Sequence, residues 1–213
     1  MPFPFHALGY SRNPFGALTD EEWTAVAILP QAICDVLPHG CRHVQVLGPK
    51  GAGKSTTLRK MAAELRAGRR RAVYEYLPEG QHYFSTNLHD VEIFCLDEVQ
   101  RLNWWYLLRL VRWGGTQGRL ILGSHRDLTK WFGWQRPFLT TFYLPDLITR
   151  DHWQKAITAR LRYFAIKENP HTLSAEEIKQ LYEKFGADMR EGEYYLYEVW
   201  QKGIKDLRLT IDD

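Results

Sequence analysis

The sequence predicts an α/β protein: a parallel five-stranded sheet flanked by helices, followed by a small C-terminal helical subdomain. Three observations carry that expectation. Strand-like and helix-like stretches alternate between residues 43 and 144, the pattern of βαβ units whose helices cover both faces of a sheet. A glycine-rich run, Gly48-Pro-Lys-Gly-Ala-Gly53-Lys54-Ser55, stands between the first strand and the helix after it. Beyond Pro145 the strand signal stops and only helical periodicity remains. Composition agrees, since 213 residues at 45% hydrophobic and 25% charged hold ample material for a core. A disordered tail, a fibrous repeat and a disulfide-stapled miniprotein are excluded.

The elements follow in order. Residues 1–18, rich in Pro, Gly and aromatics, read as an irregular arm. Thr19-Asp-Glu-Glu22 is a capping box opening a short helix that ends near Pro30. His43 to Leu47 is the first strand. Leu58, Met61, Ala62 and Leu65 recur at helical spacing and Gly68 closes that helix. Ala72 to Leu77 is the second strand, stopped by Pro78. Val91 to Leu96 is the third, a continuous apolar run of the kind buried on both faces. A helix over Leu102 to Trp113 leads to a fourth strand, Arg119 to Leu122. A helical stretch from Asp127 to Trp134 precedes the fifth strand, Thr140 to Leu144. Asp151 to Ile166, a capping box at Ser174-Ala-Glu-Glu177 with its helix to Phe185, and Glu193 to Lys202 make the C-terminal helices. The expected organisation is an arm at 1–18, a core at 19–145 and a helical lid at 146–213.

Twenty-eight Lys+Arg against twenty-five Asp+Glu leave a net charge of +3, too mild for a protein that coats nucleic acid electrostatically. Any basic patch is local, and Arg69-Arg-Arg71 is the densest, at a helix C-terminus that suits cations. Three cysteines, Cys34, Cys41 and Cys95, are too few and too odd for a disulfide framework and point to a reducing compartment. The opening residues lack a secretory pattern, and the longest apolar stretch, 24–37, is interrupted by Pro30, Gln31 and Asp35. The expectation is a cytoplasmic protein with no membrane partner. Cys34, His39, Cys41 and His43 lie close in sequence, but their spacing fits no usual zinc set. Tryptophans cluster at Trp104, Trp105, Trp113, Trp131 and Trp134, and on an α/β domain they are expected chiefly to seal helices onto the sheet rather than to stack on bases or a partner.

The chemistry sits first in the glycine-rich run, which matches G-x-x-x-x-G-K-[ST] in full. Its glycines let main-chain N–H groups converge on phosphate, and the helix N-terminus adds a favourable field. The candidate phosphate-binding residues are Gly48, Pro49, Lys50, Gly51, Ala52, Gly53, Lys54, Ser55 and Thr56. Lys54 would reach the β- and γ-phosphates of ATP, and Ser55 would ligate Mg²⁺. The third strand ends in Asp97-Glu98: Asp97 is placed to hold Mg²⁺, and Glu98 to orient and polarise an attacking water.

With these residues in place, the chain resembles the additional-strand catalytic-glutamate ATPases, and within them the AAA+ group. Leu120-Ile-Leu-Gly-Ser-His125-Arg-Asp resembles the sensor-1 strand, with His125 at the sensor position and Ser124 as its fallback. Gly186-Ala-Asp-Met-Arg190 resembles the lid's sensor-2 segment, which implies Arg190 as the γ-phosphate arginine. Asp97-Glu-Val-Gln-Arg-Leu102, with Asn13-Pro-Phe15 upstream, is similar to transposition-helper, secretion-type and origin-recognition-like ATPases. The resemblance spans roughly residues 13–201. It implies a RecA-like P-loop sheet with a helical lid, a homo-oligomer, and a setting on DNA with a recombinase or initiator client. An inter-subunit arginine finger falls to Arg136, with Arg126 as the other candidate. The stretch from Pro78 to Asp90 is short for this group.

The expected function is an ATPase that binds and hydrolyses Mg-ATP to drive conformational change or assembly. The alternative is an ATP-gated protein-interaction module with little turnover. A small-molecule kinase is a third reading, weakened because the helical region follows the fifth strand and Glu98 suits water better than a substrate hydroxyl.

Overall fold

The computed structural model describes residues 4–37 and 43–209, with side chains described through residue 202. His39 and Cys41 lie outside the described residues. In chain order the elements are α1 (Asp20–Val26), α2 (Gln31–Val36), β1 (His43–Leu47), α3 (Lys54–Ala67), β2 (Ala72–Tyr76), β3 (Ile93–Asp97), α4 (Trp104–Thr116), β4 (Arg119–Ser124), β5 (Leu139–Tyr143), α5 (Leu144–Leu147), α6 (Arg150–Phe164), α7 (Ala175–Phe185) and α8 (Met189–Leu209). They form two compact units, residues 29–147 and residues 1–28 with 148–213.

The first unit is built on a five-stranded sheet in the order β2-β3-β4-β1-β5, with every neighbouring pair parallel. Burial explains the order. All five residues of β3 are buried, as are four of five in β1, whereas β2 and β5 lie at the edges with partly exposed residues. The carboxyl ends of the central strands are aligned, with Val46 opposite Gly123 and Leu47 opposite Ser124. Helix α4 approaches the sheet closely because Gly114 and Gly115 carry no side chain. A Cβ on Gly114 would stand 2.7 Å from Leu120 Cδ1, and one on Gly115 2.4 Å from Gln135 Nε2. Leu110 and Leu120 fill the same core, where truncating either to Ala costs about 2–5 kcal/mol.

Several expectations shift. Residues 77–92 form no helix or strand; Phe84, Leu88 and Val91 seal the segment into the core, while Glu75 accepts the amides and hydroxyls of Ser85 and Thr86. The helix expected over 127–134 is instead two 3-10 turns, Thr129–Trp131 and Gly133–Phe138. The Asp127 carboxylate captures the Thr129 amide and hydroxyl, and Gly133 takes φ 47, so the local side-chain bonds win over an α-helix. In the first helical stretch α1 stops at Val26, and Pro30 caps a separate short helix, α2. Trp113 is buried as expected, but Trp104, Trp105 and Trp134 stand 58%, 66% and 70% exposed and do not seal the core.

The second unit joins the N-terminal residues to the C-terminal helices. Long-range polar bonds explain it. Arg160 of α6 donates to the carbonyls of Pro14 and Gly16 and pairs with Glu193 of α8. Asn13 donates to Tyr197 O and accepts the amide of Phe15, while Tyr10 donates to His171 O. Trp200 packs edge-on between Tyr10 and Phe15, with centroids at 5.1 and 5.5 Å. Both expected capping boxes, Thr19 with Glu22 and Ser174 with Glu177, are formed. Among the described residues no helix is long and apolar enough to cross a membrane.

Candidate nucleotide site

The site is assembled at the carboxyl ends of β1, β3 and β4. Beyond Leu47 the chain turns through Gly51 and Gly53, at φ 92 and 87, a left-handed conformation that glycine adopts without the Cβ penalty. Helix α3 then starts at Lys54, which is 5% exposed. Its ammonium donates to the carbonyls of Gly48 and Pro49, both at 2.9 Å, and stands 3.4 Å from His125 Nε2.

Asp97 ends β3 with no exposed surface. Its Oδ1 accepts the Glu98 amide at 2.9 Å and its Oδ2 accepts the Tyr74 hydroxyl at 3.2 Å. Glycine is required beside it, since a Cβ on Gly123 would come within 2.4 Å of Asp97 Oδ1. Glu98 adopts φ 59 and ψ 37, a left-handed conformation that costs a residue with a side chain about 1–3 kcal/mol. Strain of that kind persists where surrounding bonds over-determine it. Here the Glu98 carboxylate accepts from Gln100 Nε2 at 2.7 Å, pairs with Arg101 at 3.2 Å, and meets His125 Nε2 at 3.4 Å.

His125 follows β4, and its amide donates to Gln100 Oε1. Ser124 is buried and its hydroxyl accepts the Arg126 amide, so it is committed to the backbone. The segment after His125 is held from β1: Gln45 Nε2 lies 2.8 Å from Asp127 Oδ1 and 2.7 Å from Thr141 Oγ1, while its Oε1 accepts the Leu128 amide. The Thr129 hydroxyl and amide, followed by Gln45, hold the Asp127 carboxyl below the usual range.

Lys54, Asp97, Glu98 and His125 are thus brought together, with Ser55 and Thr56 in the first turn of α3. Arg136 and Arg126 are exposed, and Arg136 lies in the turn preceding β5. Arg190 belongs to the helical unit. It lines a concavity of about 530 Å³ there with Phe15, Trp23, Tyr194 and Tyr197. The residues fit a magnesium–triphosphate group: positive-φ glycines in a loop before a helix, a buried ammonium, and two buried carboxylates at the end of β3. Sequence reading missed Tyr74, Gln100, Arg101 and Gln45. Gln100 and Arg101 had a signal, standing two and three residues beyond Glu98; Tyr74 and Gln45 act across strands and had none.

No family model matches the sequence, and no curated protein matches it. Solved structures do. Domain III of the Thermotoga maritima replication initiation protein DnaA superposes with a TM-score of 0.56 at 14% identity, covering 88% of this chain and 92% of that one. AMPPCP-bound DnaA from Aquifex aeolicus gives 0.55 at 19% identity, covering 83% and 61%. The replication initiator DnaA bound to AMPPCP and single-stranded DNA gives 0.53 at 16% identity, covering 85% and 63%. The chain therefore spans somewhat under two thirds of those two longer initiators. The fold of this chain is therefore that of domain III of the replication initiation protein DnaA.

Proposed function

We propose that this chain is an ATPase that binds Mg-ATP and converts its hydrolysis into conformational change or assembly. The observation that carries the reading is the convergence of Lys54, Glu98 and His125, from three separate elements, with ring and charge atoms 3.4 Å apart. ATP supplies the triphosphate whose terminal bond is broken. Lys54 would neutralise the β- and γ-phosphates, and the amides between Gly48 and Thr56 would cradle them. Ser55 and Asp97 would hold Mg²⁺. Glu98 would orient and polarise the attacking water, and its present bonds to Gln100 and Arg101 keep its carboxylate facing His125. His125 would read the γ-phosphate, and Arg190 would couple it to the helical unit.

Assembly belongs to the same reading. Arg136 is exposed between Trp134 and Phe138, which are 70% and 48% exposed, a composition that suits a contact with a second copy. It would serve as the arginine finger supplied in trans, a contribution worth about 10³–10⁵ in rate. DNA and a recombinase or initiator client are the proposed setting, on the resemblance of the acidic segment and the initiator-type fold. Titration calorimetry with ATP and Mg²⁺ tests the core of the reading: binding heat is expected, and its absence with every purine triphosphate overturns it. Hydrolysis followed across protein concentrations, with and without duplex DNA, tests the rest. Specific activity that rises with concentration supports composite sites. A slow, flat rate indifferent to DNA favours the ATP-gated interaction module.

A further inference from the structure

Tyr74 lies on β2 opposite Cys95 of β3, two positions before the pair Tyr76 and Asp97. Its hydroxyl nevertheless reaches along the sheet and donates to Asp97 Oδ2 at 3.2 Å. The guanidinium carbon of Arg59, from α3, stands 5.3 Å from its ring centroid. The other oxygen of Asp97 accepts the Glu98 amide and is walled in by Gly123. The carboxylate is therefore fixed in rotation from β2, from β4 and from its own chain.

We propose that Tyr74 is a positioning residue for the divalent cation: it presets the plane of the Asp97 carboxylate that would hold Mg²⁺, and Arg59 braces it. The inference rests on the nucleotide reading above and names a residue that reading does not use. The count of lone pairs supports it. Each carboxylate oxygen offers two acceptor positions, and Tyr74 and the Glu98 amide occupy one each, so these two bonds set the plane of the carboxylate without exhausting its acceptor capacity. Groups that orient a metal-holding side chain tune affinity without touching the metal. The brace also has a topological meaning, because Arg59 belongs to the same helix that begins with Lys54 and Ser55. The helix that presents the phosphate-binding residues thus also steadies the carboxylate opposite them.

The test uses the full chain and Tyr74→Phe, which keeps the ring and removes one oxygen. Affinity for a fluorescent ADP is measured across Mg²⁺ concentrations and in EDTA. The Mg²⁺ concentration giving half the effect is expected to rise about tenfold, the low end of what loss of such a partner costs, while affinity in EDTA is unchanged. A defect of folding alone would weaken binding equally in both. A folded Phe variant with the wild-type Mg²⁺ response overturns the positioning role and leaves the nucleotide reading standing. Wild-type protein that binds no ADP, or binds it indifferently to Mg²⁺, overturns that reading and this inference together. If the Phe variant does not fold, Arg59→Gln, which keeps the hydroxyl and removes its brace, is expected to shift the response the same way by less; no shift overturns the role.

Discussion

Each unit buries charge, and the two do so in different ways. In the helical unit the guanidinium of Arg160 is closed off: three of its nitrogens are engaged by two main-chain carbonyls and Glu193, and those contacts tie residues 14–16 to α6 and α8. In the sheet unit the His125 ring stands 3.4 Å from both the Lys54 ammonium and the Glu98 carboxylate, contacts loose enough to be exchanged for a phosphate or a water, while Lys54 also donates to two main-chain carbonyls at 2.9 Å. Burial of a charge therefore does not mark a site. What distinguishes the sheet unit's set is that its members come from separate strand and helix ends and meet at longer contacts.

The sharpest way to break this contrast is to neutralise one charge in the open set. Glu98→Gln keeps the shape and the Gln100 and Arg101 neighbours but removes the base, and turnover is expected to fall about 10²- to 10⁴-fold with ATP still bound. Retained turnover, measured by phosphate release under saturating ATP, would mean that Glu98 is merely a strained structural acid. Lys54→Ala comes next, with an expected loss of about 10²–10³ in turnover for one electrostatic donor and weaker ATP binding by calorimetry. In the closed set the effect should be on folding. Arg160→Met removes a buried cation from two carbonyls and is expected to lower stability by about 2–3 kcal/mol in urea denaturation. A variant as stable as the parent would show that the N-terminal residues do not depend on α6.

The same contrast explains what could be read from the sequence. The strand-helix alternation, the glycine-rich turn before α3 and the acidic pair at the end of β3 were legible because each is local: periodicity over a few residues, or a motif whose members are neighbours in the chain. All five strands stand where the pattern puts them, with no end displaced by more than two residues. Asn13, Arg160 and Glu193 were illegible as a set, since nothing local says that an arm rich in proline and glycine will surrender its carbonyls to a helix more than a hundred residues on. Tyr74 failed for the parallel reason across the sheet. Its hydroxyl passes two register positions to reach Asp97, a reach that alternation along β2 does not encode. The segment 127–134 failed because one side chain, Asp127, outbids the helix locally.

Acid sharpens the comparison further, because the two units should soften over different pH ranges. Burial holds the His152 imidazole of α6 below its ordinary 6.5, with Asp151 opposing and Lys155 adding to the effect. The folded state therefore disfavours the proton that the unfolded chain accepts. Its contribution is complete above about pH 6.5 and is lost as the pH falls from there through the depressed folded value. In the sheet unit Asp127 is the counterpart. Its folded carboxyl lies below the ordinary 3.8, so what it contributes is present above that value and disappears only as the pH falls through the lower folded one. Hydrogen exchange followed by mass spectrometry, corrected for intrinsic rates, should find amides of α6 losing protection by about pH 5 while those of β1 and β4 hold. His152→Gln, which carries no charge at either pH, should flatten the response of α6 and leave β1 and β4 as they were. Uniform loss of protection across both units would mean that acid unfolds them as one.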